Sequence, residues 1–282
     1  GSLIPPSVLF ILYGIFSEQS IAKLFIAAII PGLISLFAYL VVIYVWVTIR
    51  PEDAPIPKEK ISHDDRIKAL RDCWAIILLF IVVVGGIYVG LFTPTEAAGV
   101  GAFSTLILGL ILTRLNLKRI FSALKESVFQ SSMIFVIAIG GKLFVNFIAL
   151  TGLAAEITQW INTSGVSMFA VMALIVILYI FLGMFLDPIG IILLTLPLTI
   201  PIVESFGFSL IWFGVVVIKL LEIGLVTPPI GLNVFVIKSI VSDKISLETI
   251  FVGVAWFLVA EIFVLAAILM IPTLSLFLTT FI

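Results

Sequence analysis

Two Pro-Pro pairs interrupt otherwise apolar, helix-like sequence, and they interrupt it in the same way. Late in the chain stands Gly224-Leu225-Val226-Thr227-Pro228-Pro229-Ile230-Gly231-Leu232-Asn233; at the start stands Gly1-Ser2-Leu3-Ile4-Pro5-Pro6-Ser7-Val8-Leu9. Shifted by 223 positions, Gly1, Pro5, Pro6 and Leu9 fall on Gly224, Pro228, Pro229 and Leu232. A Pro-Pro pair cannot sit inside a regular helix, because each ring removes an N–H donor and the residue before each proline is pushed from helical angles. In a bilayer such broken backbone must be buried in protein or line a watery cavity, since lipid offers no hydrogen bonds. Corresponding breaks in two halves of a membrane chain point to a binding site near the bilayer midplane.

The bilayer itself follows from composition. The chain is 62% hydrophobic and 11% charged, with a mean hydropathy of +1.37. That excludes an ordinary soluble domain and predicts an all-α polytopic membrane protein whose surroundings are lipid. The single cysteine, Cys73, excludes an internal disulfide and a cysteine-rich metal site. His63 lies in the most polar loop and reads as a solvated surface residue. No GxxxxGK[ST] phosphate loop occurs, which argues against ATP-driven transport by this chain. No nucleophile–base pair or metal-ligand set supports an enzyme, and no nucleic-acid partner is expected. The chain opens inside a break and without Met. It is therefore expected to be the later part of a longer protein.

The hydropathy pattern divides the chain into segments. Residues 1–14 hold the second limb of a broken helix, and 15–49 a loop and a long apolar scaffold helix. Residues 50–73 form a polar loop, where Pro51, Pro55 and Pro57 preclude a continuous helix. An amphipathic surface helix is expected from Ser62 to Asp72, with Ile67 and Leu70 turned inward. Residues 74–150 supply scaffold helices at 74–91, 94–113 and 128–150. Between the last two, 114–127 reads as a basic amphipathic segment, with Arg114, Lys118, Arg119 and Lys125 among Leu115, Leu117, Ile120, Phe121 and Leu124. Residues 151–241 form a second unit, comprising apolar limbs 166–204 about Gly183-Met184-Phe185-Leu186-Asp187-Pro188 and a broken helix over 207–241. Residues 242–282 contain the last membrane helix.

Twelve of the fifteen Lys and Arg residues fall in 50–72, 114–125 and 238–244. One topology puts all three segments on one face, which must then be cytoplasmic. Folding 166–204 as a re-entrant hairpin or as two full crossings gives the same result, so charge leaves both open. Trp46 and Trp74 flank the basic loop, while Trp160 and Trp212 are expected at the opposite interface.

Several residues stand out as site candidates. Asp187 is a carboxylate between two apolar limbs, where a charge costs at least ~2.5 kcal/mol and is usually paired or functional. It is also a natural N-cap for a helix starting at Pro188, and both roles can hold together. A capped helix end at membrane depth presents free N–H groups that suit an anion. The stretch Glu222–Asn233 offers unwound carbonyls, the Thr227 hydroxyl and the Asn233 amide. Such oxygens suit a small hard cation, Na⁺ above a transition metal, since no Cys or His is near. Lys219 and Glu222 are spaced to pair on one helix. A contact of Lys219 or Lys142 with an anionic substrate stays open. Thr93-Pro94-Thr95-Glu96 reads as a structural capping box.

These stretches together resemble the large membrane subunit of the tripartite ATP-independent periplasmic (TRAP) transporters. The resemblance rests on Gly183–Pro188, Ile211–Val215, Glu222–Ile237, Gly90–Ala98, and Ile4–Ser7 with Tyr13-Gly14, and it runs along the chain in order. It implies two inverted repeats, each with a re-entrant hairpin and a broken helix forming a moving transport unit against a scaffold. It implies Na⁺-driven uptake of organic acid anions across a bacterial inner membrane by an elevator-like motion. A periplasmic substrate-binding protein would deliver the substrate, and a small membrane subunit would pack on the scaffold. By this resemblance Gly183, Met184, Asp187, Gly224, Thr227 and Pro228 hold one Na⁺. Gly1, Ser2, Pro5 and Ser7 would be the remnant of the mirror-related site, and Asp187, Pro188, Ser7 and Asn233 would meet substrate. The first helices and first hairpin of the family would lie outside this chain, which alone is expected not to transport.

Two rival readings remain at this stage. One is a binding-protein-independent anion transporter of the same architecture, driven by Na⁺ or H⁺. The other is a channel or structural membrane partner. A channel should carry a polar stripe along several helices, whereas here polar residues gather at two breaks and one hairpin tip.

Overall fold

The computed structural model describes residues 2–54, 62–113, 115–241 and 245–281, without the side chain of Leu70. Expectations for Gly1, Pro55, Pro57, Leu70 and Arg114 lie outside the described residues. The chain is an all-α polytopic membrane protein, and among the described residues five helices are long and apolar enough to cross a membrane. Their exposed faces carry large apolar side chains such as Phe37, Tyr44 and Phe263, as lipid-facing surfaces do.

Contacts divide the chain into two compact units, residues 47–135 and residues 1–46 with 136–282. In the first, α4 (His63–Asp72) is the expected polar helix, but Ile67 is exposed rather than turned inward. The span expected at 74–91 is α5 (Trp74–Phe80), a π-helical stretch Ile81–Gly85, and the short α6 (Gly86–Tyr88). Next comes α7 (Pro94–Leu112), which opens on the expected capping box: Thr93 Oγ1 accepts the Glu96 N–H, and the Glu96 carboxylate accepts the Thr93 N–H at 2.8 Å.

One element departs from the expected layout. The basic segment and the span after it are a single helix, α8 (Leu117–Thr151), of 35 residues. No proline or glycine occurs between Leu117 and Ile139, so nothing in the backbone separates a surface segment from a crossing one.

The second unit is built around one helix. After α1 (Val8–Ser17), α2 (Ile21–Ala27), α3 (Ile29–Ile49), α9 (Leu153–Thr163), α10 (Met168–Gly183) and α11 (Pro188–Ser205) comes α12 (Leu210–Gly224). The chain closes with α13 (Leu232–Val241), α14 (Leu247–Met270), the short α15 (Thr273–Leu276) and a 3₁₀ turn at Leu278–Phe281. Residues Phe213 and Val215–Leu221 of α12 are at most 0% exposed, Lys219 among them. A helix apolar on every side belongs in a centre, and α1, α2, α10, α11, α14 and α15 surround it. Trp212 accordingly lies packed in this core and not on a lipid-facing surface. It is 1% exposed, and its indole N–H donates to the Ile268 carbonyl at 2.9 Å, which removes the need for a wet partner. The apolar stretch expected as one long helix after residue 20 is α2 and α3, and as far as Trp46 it belongs to the same compact unit as α10–α13.

Candidate functional site: a hairpin tip against a broken helix

The limbs α10 and α11 fold back about the residues 184–187. The limbs meet through polar side chains: the Thr195 hydroxyl lies 2.6 Å from the Tyr179 hydroxyl, and Thr199 Oγ1 lies 3.4 Å from it. All three side chains are buried, so a polar seam inside apolar limbs sets the hairpin's register. At the tip Asp187 caps α11, its Oδ2 accepting the Gly190 N–H at 3.1 Å, with Pro188 at the first helical position. Asp187 is exposed and Met184 half-buried.

The broken helix spans α12 and α13, with residues 225–231 between them. The turn is hydrogen-bonded within itself. Thr227 Oγ1 donates to the Ile223 carbonyl at 2.6 Å. The Thr227 N–H reaches the Gly224 carbonyl at 3.1 Å, and the Asn233 N–H the Leu225 carbonyl at 3.1 Å. Gly231 turns the chain at φ 58, a left-handed angle that favours glycine. Pro228 is exposed. At the chain start the same grammar recurs. Pro5 and Leu3 are buried, and α1 starts two residues after Pro6 much as α13 starts three after Pro229. Both Pro-Pro bonds, 5–6 and 228–229, are cis.

Hairpin and break touch through two glycines. A Cβ on Gly183 would stand 2.8 Å from Gly224 Cα, and one on Gly224 would stand 2.6 Å from Gly183 Cα. Real Cβ atoms do not come so near backbone, so only glycine allows this approach. Two residues that the family resemblance implies for one ion site thus meet directly. Ser2 and Asn233, from the two different breaks, line one cavity of about 240 Å³ together with Tyr39, Glu222, Ile223, Leu225, Val226 and Glu261. Ser7 begins the α1 limb with its Oγ buried and without a hydrogen-bond partner. An orphaned buried hydroxyl marks a place for a ligand or water.

The expected Lys219–Glu222 pair forms at 3.5 Å, yet it is only part of the arrangement. Lys219 also pairs with Glu261 of α14 at shorter range, and its Nζ donates to Ser35 Oγ of α3 at 2.9 Å. Sequence reasoning missed Glu261, Ser35 and Tyr179. The signal for Glu261 was present: it is the sole charged residue after Glu248, inside an apolar span, where ionisable groups face the protein interior and pair. Lys142, whose role was open, is exposed on α8.

A hairpin tip seated on the break of a broken helix, inside an all-α membrane unit, is the discontinuous-helix arrangement that transporter folds use. Residues 1–274 match the tripartite ATP-independent periplasmic transporter, DctM component, and the chain belongs to that family. It is 32% identical over 277 residues to the C4-dicarboxylate TRAP transporter large permease protein DctM of Pseudomonas aeruginosa, covering 98% of this chain and 64% of that protein. It is 33% identical over 279 residues to the sialic acid TRAP transporter large permease protein SiaM of Vibrio cholerae, covering 99% and 64%. It is 30% identical over 277 residues to the ectoine/5-hydroxyectoine TRAP transporter large permease protein UehC of Ruegeria pomeroyi, covering 98% and 64%. The chain therefore spans less than two thirds of the length of these relatives. They are transporter permeases and not enzymes, in keeping with the expectation from sequence.

Proposed function

We propose that this chain is part of the permease subunit of a Na⁺-coupled TRAP symporter that takes up organic acid anions across a bacterial inner membrane. The observation that carries the reading is the Gly183–Gly224 contact, which sets the hairpin tip on the unwound turn. Carbonyl oxygens at Gly183, Gly224 and Thr227, with the Thr227 hydroxyl and the nearby Asp187 and Met184, are the oxygen-rich donor set a small hard cation takes. Met184 contributes through its backbone carbonyl, since its thioether is a soft ligand. Ser2, Pro5 and Ser7 are the corresponding part of the mirror-related site, and the unsatisfied Ser7 hydroxyl fits a ligand there. The α11 N-terminus behind Asp187 and Pro188, together with Asn233 and Ser7, would meet the substrate's acid group, because free N–H groups at a helix start favour anions.

The named solutes of two relatives, C4-dicarboxylate and sialic acid, support an acid as cargo. The family also supports two partners, a periplasmic substrate-binding protein and a small membrane subunit, and an elevator-like motion of two inverted repeats. The test is uptake of radiolabelled organic acids by proteoliposomes holding the full-length transporter. Each acid is given with an inward Na⁺ gradient or with choline, with and without the binding protein. Uptake that needs both is expected. Uptake indifferent to Na⁺ removes the sodium assignment, and uptake without the binding protein removes the tripartite one.

A further inference from the structure

Lys219 is a fully buried cation five positions before Gly224. Its three partners come from three helices: Ser35 from α3 at 2.9 Å, Glu222 from α12 at 3.5 Å, and Glu261 from α14 in closest contact. Glu222 faces a second way. Its Oε1 accepts the N–H of Leu3 at 3.0 Å, across 219 residues of sequence. Leu3 lies two residues before Pro5, in the first break, and is 2% exposed. A continuous run of polar contacts therefore leads from the first break through Glu222 and Lys219 to α14, and Glu222 itself stands two residues before Gly224 and the second break.

Stability alone does not account for such a cluster. Replacing a buried ion pair by well-packed apolar residues is often neutral or stabilising. The cluster also borders the space between the two breaks. Glu222 and Glu261 both line the cavity of about 240 Å³ that holds Ser2 of the first break and Asn233 of the second. Glu261 is 3% exposed and faces Tyr39 of α3 as well as Lys219. Its carboxylate can therefore keep Lys219 neutralised when the longer Glu222 contact lets go. A cation shared by two carboxylates can shift its pairing from one to the other, and two sites can bias such a balance.

We propose that Lys219, Glu222 and Glu261 form an ionic clasp that couples the two breaks, so that a change at one alters the other. The three are positioning residues that act through Leu3 and through the end of α12. The inference rests on the proposed function in treating both breaks as ligand sites.

The test uses the full-length transporter with Cys73→Ser, other cysteines likewise replaced, and Ser2→Cys as a reporter in the first break. The maleimide labelling rate at position 2 is compared with and without Thr227→Ala, a change confined to the second break. With the clasp intact, Thr227→Ala is expected to shift the rate by about threefold or more, the size of effect such networks carry. With Glu222→Ala the response is expected to vanish, and with Glu222→Gln, which keeps an acceptor for Leu3 but loses the pull of Lys219, to be reduced. Glu222→Gln alone decides the matter if Glu222→Ala does not assemble. No response in the intact protein, or an undiminished one in the Glu222 variants, overturns the clasp. A second readout is the Hill coefficient for Na⁺ in uptake, expected to fall towards one in Glu222→Gln. A merely structural ion pair would lower Vmax and leave the Hill coefficient alone. Uptake indifferent to Na⁺ would sink the sodium reading above, and the labelling rates would then judge the clasp by themselves.

Discussion

Gly183 and Gly224 lie so close that a methyl group on either would stand 2.8 or 2.6 Å from the other's Cα. One belongs to the hairpin tip and the other to the last turn of α12, so this contact fixes the tip on the break. The overlap would be with backbone, which cannot rotate away as a side chain can. Gly183→Ala and Gly224→Ala are each expected to force the two elements apart, at a cost of about 1–3 kcal/mol by analogy with overpacked cores. Both should lower the thermal midpoint of the detergent-purified, full-length subunit and abolish substrate uptake. Wild-type uptake from either variant would show that the tip does not need to sit on the break.

The buried charges give a different kind of prediction. Lys219→Met leaves Glu261, 3% exposed, without its cation, and an uncompensated buried charge costs about 3–5 kcal/mol. Glu261→Gln alone leaves Lys219 with Glu222 at 3.5 Å and Ser35 at 2.9 Å, so its cost should be smaller. The double variant Lys219→Met/Glu261→Gln should recover part of the loss seen in Lys219→Met. Thermal midpoints of the four proteins form a double-mutant cycle, and strictly additive losses would show that the two residues do not interact.

The hairpin's register gives a third. Tyr179→Phe removes a buried hydroxyl that lies 2.6 Å from Thr195 Oγ1. Thr195 keeps the Ile191 carbonyl as a partner at 2.7 Å, so the loss should be about 1 kcal/mol, a single hydrogen bond. Tyr179→Leu, which also loses a fully buried ring, should cost more. Both are read as shifts in thermal midpoint, and an unchanged midpoint in Tyr179→Phe would mean that the seam carries no stability.

Much of this arrangement was legible from residue order. Apolar runs gave the spans, the second Pro-Pro pair gave the break between α12 and α13, and Asp187-Pro188 gave the start of α11. The capping box at Thr93 was readable because its partners are three residues apart, within one turn. What escaped were the relations between distant residues. Lys219 has an obvious neighbour in Glu222, and that local pair concealed the closer one with Glu261, 42 positions on. Trp212 carries the mark of an interfacial anchor, but its position on a helix surrounded by six others decides its burial. Likewise α8 runs through the expected surface segment, because charge sets where a helix meets water but not where it stops.

Asp187 is the residue for which local structure and transport make separable demands. Its Oδ2 caps α11 through the Gly190 N–H at 3.1 Å, a role that asparagine fills about as well, while alanine loses about 1 kcal/mol. Asp187→Asn therefore keeps the cap and removes the charge, whereas Asp187→Ala removes both. A pure cap predicts that Asp187→Asn takes up substrate like wild type and that Asp187→Ala is merely less stable. If the carboxylate helps to hold Na⁺, Asp187→Asn should melt like wild type and yet require a several-fold higher Na⁺ concentration for half-maximal uptake. That second outcome is expected here, because the charge stands at a helix start where anions rather than cations are otherwise favoured, so a cation there needs the carboxylate. Sodium titrations of uptake in the two variants, alongside their thermal midpoints, separate the roles. An unchanged sodium requirement in Asp187→Asn would leave Asp187 with the cap alone.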